Sequence, residues 1–215
     1  MPGEDYRITR DKLMLPEEVG HLLAVCERRA ALDLAGGRKG WVNRYMLVHL
    51  ACGSGLRAAE IAALKVGDLH LREATLNLSD AAPYLNVAGP GGRPGREVRL
   101  GLAPAGQLRG YLRIREETWG EALRGEDLLL PGRHGGPYTS AALGVSFKKA
   151  IAAAGLSESY SLRTARHSYS AFLLATTSDL RYVQRQMGHA NQNMTLLYQD
   201  VIPVIDPAAA SSLIG

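Results

Sequence analysis

Lysine is scarce in this sequence. Only Lys12, Lys39, Lys65, Lys148 and Lys149 contribute to its 25 cationic side chains, and none lies between positions 65 and 148. Cysteine is scarce too: Cys26 and Cys52 both fall in apolar helical patterns. That speaks against a disulfide-stapled scaffold and for buried thiols in a reducing compartment. Long hydrophobic runs are missing. The longest apolar stretch, Met46 to Cys52, is interrupted by His49 and falls far short of the roughly 20 residues a spanning helix needs. Met1 to Asp11 is polar and charged, unlike a secretory leader. No internal repeat and no low-complexity linker appears. The expectation is a cytoplasmic chain with no membrane partner.

What is present suits one compact core. The chain has 215 residues, 46% of them hydrophobic, ample for a single domain with a small satellite lobe. Its net charge of +4 is carried mostly by arginine, whose planar fork donates two parallel hydrogen bonds to a phosphate and never deprotonates. A polyanionic partner fits that balance.

Periodicity predicts a first helix over residues 16–31, with Pro16 in its first turn, Glu17 and Glu18 at its positive end, and Val19, Leu22, Leu23, Cys26 and Ala30 as its apolar stripe. A second helix runs from Trp41 to Ala51. Gly53-Ser54-Gly55 then forces a tight turn, and a short helix follows from Leu56 to about Leu64. The period changes after that. Residues 74–78, 84–87 and 96–100 alternate, predicting a small antiparallel meander whose last loop, Gly89 to Gly95, is a cationic tip. Helices resume over 103–118, after a Thr139 cap, over 163–176, and after Ser178 read as a cap. An element around Met194 to Val201 precedes an apolar tail, 207–215. The fold class is mainly α with a small antiparallel β-meander, an α+β domain over 16–206 preceded by a short segment, 1–15.

Three clusters carry chemistry. Gly53-Ser54-Gly55-Leu56-Arg57-Ala58-Ala59-Glu60 puts Arg57 in the first turn of a helix, where anions are favoured, with Glu60 in reach of its guanidinium. A plain helix start with an intrahelical ion pair gives the same pattern. In Ser161-Leu162-Arg163-Thr164-Ala165-Arg166-His167, Arg163 and Arg166 share a helical face, with His167 beside them. A solvated basic face is the bland alternative, although the apolar Ala171-Phe172-Leu173-Leu174 that follows argues for burial. Gly188-His189 is followed nine residues later by Tyr198 in an amide-rich neighbourhood. A helix-capping histidine and a core tyrosine would also read this way.

Taken together, in this order, the clusters resemble the tyrosine recombinase (phage integrase) family, and the resemblance runs from about Leu15 to Val201. It implies that family's catalytic-domain fold and a reaction in which Tyr198 attacks a DNA phosphodiester. The product is a 3′-phosphotyrosyl link and a free 5′-hydroxyl, made with neither ATP nor metal as cofactor. By resemblance Arg57 and Arg166 clamp the phosphate, Glu60 orients Arg57, and His189 bonds the phosphate. The implied partners are double-stranded DNA and further copies of the chain, a tetramer in the synaptic complex, acting at the nucleoid. The tail would dock on a neighbouring protomer or pack on its own domain.

The sequence departs from the pattern in three places. Where the family usually has histidine, three residues before the second arginine, Arg163 stands; a guanidinium stabilises charge but does not shuttle protons near pH 7. The hairpin lysine that serves as general acid is missing, leaving Arg93 or Arg96 as electrostatic contacts to the phosphate. Only about fifteen residues precede the first helix, so no separate core-binding domain is expected. Two alternatives stay open: a DNA-binding relative that does not cleave, and a type IB topoisomerase-like activity.

Overall fold

The computed structural model describes residues 8–71, 82–89, 91, 94–132 and 135–215. Helix α1, Pro16–Ala35, begins as its sequence suggests: Pro16 opens it, and the Glu18 carboxylate accepts the Leu15 N–H at 2.7 Å. It extends a turn beyond residue 31. Asp33 in that extra turn accepts from Arg38 Nε and from the Trp41 N–H, each at 2.8 Å, folding the Gly36-Gly37 corner back. Helix α2, Gly40–Ser54, absorbs Gly53 and Ser54, and the break falls at Gly55 in the left-handed region, φ 61°. After Leu56 and an extended Arg57, α3 spans only Ala58–Ala63.

A three-stranded antiparallel sheet follows, ordered β1 (Leu69–His70), β2 (Tyr84–Val87), β3 (Arg96–Arg99). Leu85 pairs with Val98 and Val87 with Arg96. Leu85, Val87 and Val98 are buried, so the alternation of side chains also turns Arg96 toward the protein. The last two strands match the sequence pattern. The strand expected at 74–78 lies outside the described residues, and β1 at Leu69–His70 was not expected because two residues show no period.

Helix α4, Leu102–Arg113, continues into a π-helical turn, Ile114–Thr118. Helix α5, Ser140–Ala153, is capped by Thr139, which accepts the Ala142 N–H, and presents Leu143, Phe147 and Ile151 to the core. Helix α6, Leu162–Thr177, is the central one, packing against α2 and the C-terminal elements. Next come α7, Leu180–Met187, the one-turn α8, Asn193–Leu196, a 3-10 turn, Gln199–Val204, and α9, Pro207–Ile214.

The cap expected at Ser178 is a correction. Ser178 ends α6 in the left-handed region, φ 53°, and the N-cap of α7 is Asp179, whose carboxylate accepts from the Arg181 and Tyr182 N–H groups at 2.9 Å each. Both residue types cap well; the extended backbone decides for Asp179. The tail forms α9, which packs on α6, α1, α2 and α4 of its own chain and buries Ala210 and Ile214.

Among the described residues no helix is long and apolar enough to cross a membrane. Cys26 and Cys52 are free and buried, with burial pushing their thiols up to about 11 and about 12.

Candidate active site

The site forms where the start of α3, the middle of α6, the end of α7 and strand β3 meet. Gly55 is required at its centre. Its positive φ disfavours other residues, and a Cβ there would collide with Tyr169 Cδ1 and meet Met187 Cε at 3.0 Å. Just past it, the Arg57 backbone N–H donates to Glu60 Oε2 at 2.7 Å, so one side chain both starts α3 and fixes Arg57. Arg57 Nη1 donates to Glu60 Oε1 at 2.9 Å, and Nη2 reaches the Gly188 carbonyl at 3.0 Å. The Arg57 side chain remains 43% exposed, so it is open to a ligand.

Arg166, on α6, approaches from the other side. Its Nη1 donates to the Gly55 carbonyl and its Nη2 to the Met187 carbonyl, both at 2.6 Å. Burial lowers its pKa to about 10, helped by repulsion from Arg57 and opposed by Glu60. It stays cationic at neutral pH. Two guanidiniums from distant parts of the chain thus converge on the end of α7.

Arg96 meets the same carboxylate. Its Nη1 and Nη2 donate to Glu60 Oε1 and Oε2 at 2.7 and 3.1 Å, and its Nε to the Gln186 carbonyl at 3.0 Å. Burial alone would raise the Glu60 pKa. The Arg96 hydrogen bonds, the Arg57 N–H and the two positive charges outweigh it and hold the carboxyl at about 2. These bonds use three of the five N–H donors of Arg96, and pairing with Val87 turns it inward, where it also lines a cleft beside Arg57. Arg93 lies outside the described residues.

His189 follows Gly188, whose φ of 61° ends α7 and whose missing Cβ leaves room for Arg96 Nε, 3.1 Å from where that atom would sit. His189 Nδ1 lies 3.0 Å from Thr195 Oγ1. Burial first, then Arg166 and Arg57, lower its pKa to about 4. The Tyr198 ring lies parallel to the His189 ring, 3° between planes and 6.2 Å between centroids. Tyr198 is only 3% exposed. Its hydroxyl is 2.7 Å from His167 Nδ1. His167 is itself lowered to about 4, by burial and then by Arg163, Arg166 and Lys12. Arg163 is exposed, one helical turn before Arg166.

Arg57, Glu60, Arg166, His167, His189 and Tyr198 are therefore brought together. Gln186 belongs with them, although sequence pattern did not single it out. Only 3% exposed, its Oε1 accepts from the Arg99 N–H at 3.0 Å, and its Nε2 donates to the Arg99 carbonyl at 2.6 Å and to Tyr169 Oη at 3.1 Å. It mimics a strand neighbour and stitches α7 to β3. The available signal was a polar residue at a buried helical position, next to Met187.

Arg57, Arg96, Arg99, Arg181, Arg185 and His189 line one open cleft of about 1670 Å³ between the hairpin and α7. Arginines outnumber the carboxylates of Glu60, Asp68 and Glu97 in that lining, a balance that suits an extended anion.

The sequence pattern of the Phage integrase family matches residues 12–203. The tyrosine recombinase XerC of Chromohalobacter salexigens is 31% identical over 157 residues, covering 73% of this chain and 48% of that protein. XerD of Oceanobacillus iheyensis is 28% identical over 170 residues, covering 79% of this chain and 54% of that one. The chain spans about half the length of these relatives. Among solved structures, XerA recombinase superposes with a TM-score of 0.67 at 18% identity, covering 99% of this chain and 65% of that one. XerH site-specific recombinase, in a post-cleavage complex with its palindromic difH substrate, gives 0.66 at 23% identity, covering 88% and 49%. At those identities the structural likeness speaks for the fold. With the family pattern covering nearly the whole chain, this protein belongs to the phage integrase family, the tyrosine recombinases, and has the fold of their catalytic domain.

Proposed function

We propose that the chain cuts and rejoins double-stranded DNA at a specific site through a 3′-phosphotyrosyl link on Tyr198, as one protomer of a DNA-bound homo-oligomer acting at the nucleoid. The observation that carries this reading is the convergence of Arg57 and Arg166 on the end of α7, beside His189 and Tyr198. In the transition state negative charge grows on the non-bridging phosphate oxygens. Guanidiniums already held in place stabilise it without reorganising, each donor being worth about 10²- to 10³-fold in rate. Glu60 holds Arg57 in that position, and His189 lies beside the tyrosine ring as a further phosphate ligand. The bond energy stays in the phosphotyrosyl link, so rejoining needs no energy source. XerH was solved with its substrate in pre- and post-cleavage states, which supports DNA as the ligand of the arginine-lined cleft.

Because Tyr198 is buried, attack requires the short segment 193–204 to shift, and that segment consists of one helical turn and one 3-10 turn. The test is a pool of suicide duplexes, nicked near a randomised core. Wild type should form an adduct resistant to SDS, and Tyr198→Phe should form none.

A second reading, a relative that grips DNA without cutting it, rests on the missing hairpin lysine and on the commitment of Arg96 to Glu60. Retention of duplexes by wild type, with no adduct from any of them, would select it. Relaxation of supercoils without a defined site would instead indicate topoisomerase-like chemistry.

A further inference from the structure

Resting on that strand-transfer reading, we propose that His167 is the proton acceptor for Tyr198, so that a histidine next to the second arginine takes over proton handling at a site where Arg163 replaces the usual one. The geometry is direct: His167 Nδ1 lies 2.7 Å from the Tyr198 hydroxyl, with the two rings tilted at 48°. That is the distance of a well-formed hydrogen bond, and it places the acceptor on the oxygen that must lose its proton.

The neighbours make poor acceptors. His189 presents its ring face to Tyr198, and its Nδ1 is engaged with Thr195. Arg163 and Arg166, on the same helix as His167, and Lys12, from the N-terminal turn, are the charges acting on His167; as cations they accept no proton at neutral pH. Burial first, and then those same charges, keep the imidazole neutral, and a base must start neutral. They also make it a weak base in the free protein. A bound phosphodiester offsets the guanidinium part of that shift, which makes His167 a better proton acceptor than in the free protein. The gap to a phenol near 10 that remains is met by bonding Oη to phosphorus as the proton leaves, not before.

Position supports the assignment. Arg166 and His167 are consecutive on α6, so a single rigid helix carries a phosphate clamp and the base. The step balances as follows. Tyr198 Oη bonds to phosphorus while its proton passes to His167 Nδ1. The P–O5′ bond breaks with its electron pair on O5′, which takes a proton from water. On rejoining, a 5′-hydroxyl bonds to phosphorus and gives its proton to hydroxide or water, the P–Oη bond breaks with its electron pair on Oη, and the imidazolium returns its proton there.

Two measurements on the full chain decide the matter. Long-range NMR with ¹⁵N-labelled histidine should show His167 protonated on Nε2 and bare on Nδ1 at pH 7, with Nδ1 shifting in Tyr198→Phe. A proton on Nδ1 would overturn the proposal, since the imidazole would then be the donor. The second uses duplexes recovered as adducts from the randomised pool. His167→Asn, whose amide oxygen can accept the hydrogen bond but not the proton, should cleave about 10²- to 10⁴-fold more slowly at pH 7. Its deficit should narrow as pH rises and hydroxide replaces the lost base, whereas Tyr198→Phe stays inactive throughout. A wild-type rate in His167→Asn, or a deficit independent of pH, would overturn the base role alone. No adduct from wild type would overturn strand transfer itself, and the base role with it.

Discussion

Arg57 and Arg166 donate to consecutive backbone carbonyls, those of Gly188 and Met187. The two guanidiniums share an anchor yet differ in setting. Arg57 is 43% exposed and keeps Glu60 as a partner, whereas Arg166 is more buried and also satisfies the Gly55 carbonyl.

Removing each arginine should therefore separate catalysis from stability. Arg57→Ala and Arg166→Ala should each slow adduct formation by about 10²- to 10³-fold. Only Arg166→Ala should markedly weaken the fold, by roughly 2–3 kcal/mol in urea unfolding, because it strips donors from two carbonyls. Equal stability losses would contradict this division.

Glu60 gives a pH signature. Its folded pKa of about 2 lies below the ordinary 4.5. A depressed carboxyl contributes stability above its unfolded pKa and loses it as pH falls through the folded one. Glu60→Gln should be less stable than wild type at pH 7, by on the order of 2 kcal/mol after allowing for solvent screening. The difference should shrink as pH falls from about 4.5 to about 2. A difference that stays constant over that window would show that Glu60 does not carry the ion pair with Arg96.

The absent hairpin lysine makes a prediction about the leaving group. Sulfur in the 5′-bridging position departs without needing a proton. A duplex so substituted should be cleaved about 10²- to 10⁴-fold faster than its phosphodiester counterpart, the range one general acid supplies. Equal rates would mean that some side chain already protonates O5′.

Much of this was legible in the sequence, because glycines and capping groups are local signals. Gly55 and Gly188 mark turns that need positive φ, and Arg57 with Glu60 is a helix start readable from spacing alone. Tertiary choices were not. Whether Ser178 or Asp179 caps α7 depends on which backbone is extended, and two-residue β1 has no period to detect. The inward turn of Arg96 follows from its pairing with Val87, a register the sequence does not state. The contact between His167 and Tyr198 joins residues on different elements, so no local pattern announces it.

The most direct test of the account is to locate the covalent bond. The full chain would be trapped on suicide duplexes, digested, and the nucleotide-bearing peptide sequenced by mass spectrometry. The account predicts a 3′-phosphoryl nucleotide on the Tyr198 hydroxyl and a released strand ending in a 5′-hydroxyl. A nucleotide on any other side chain, or an adduct that persists in Tyr198→Phe, would contradict it.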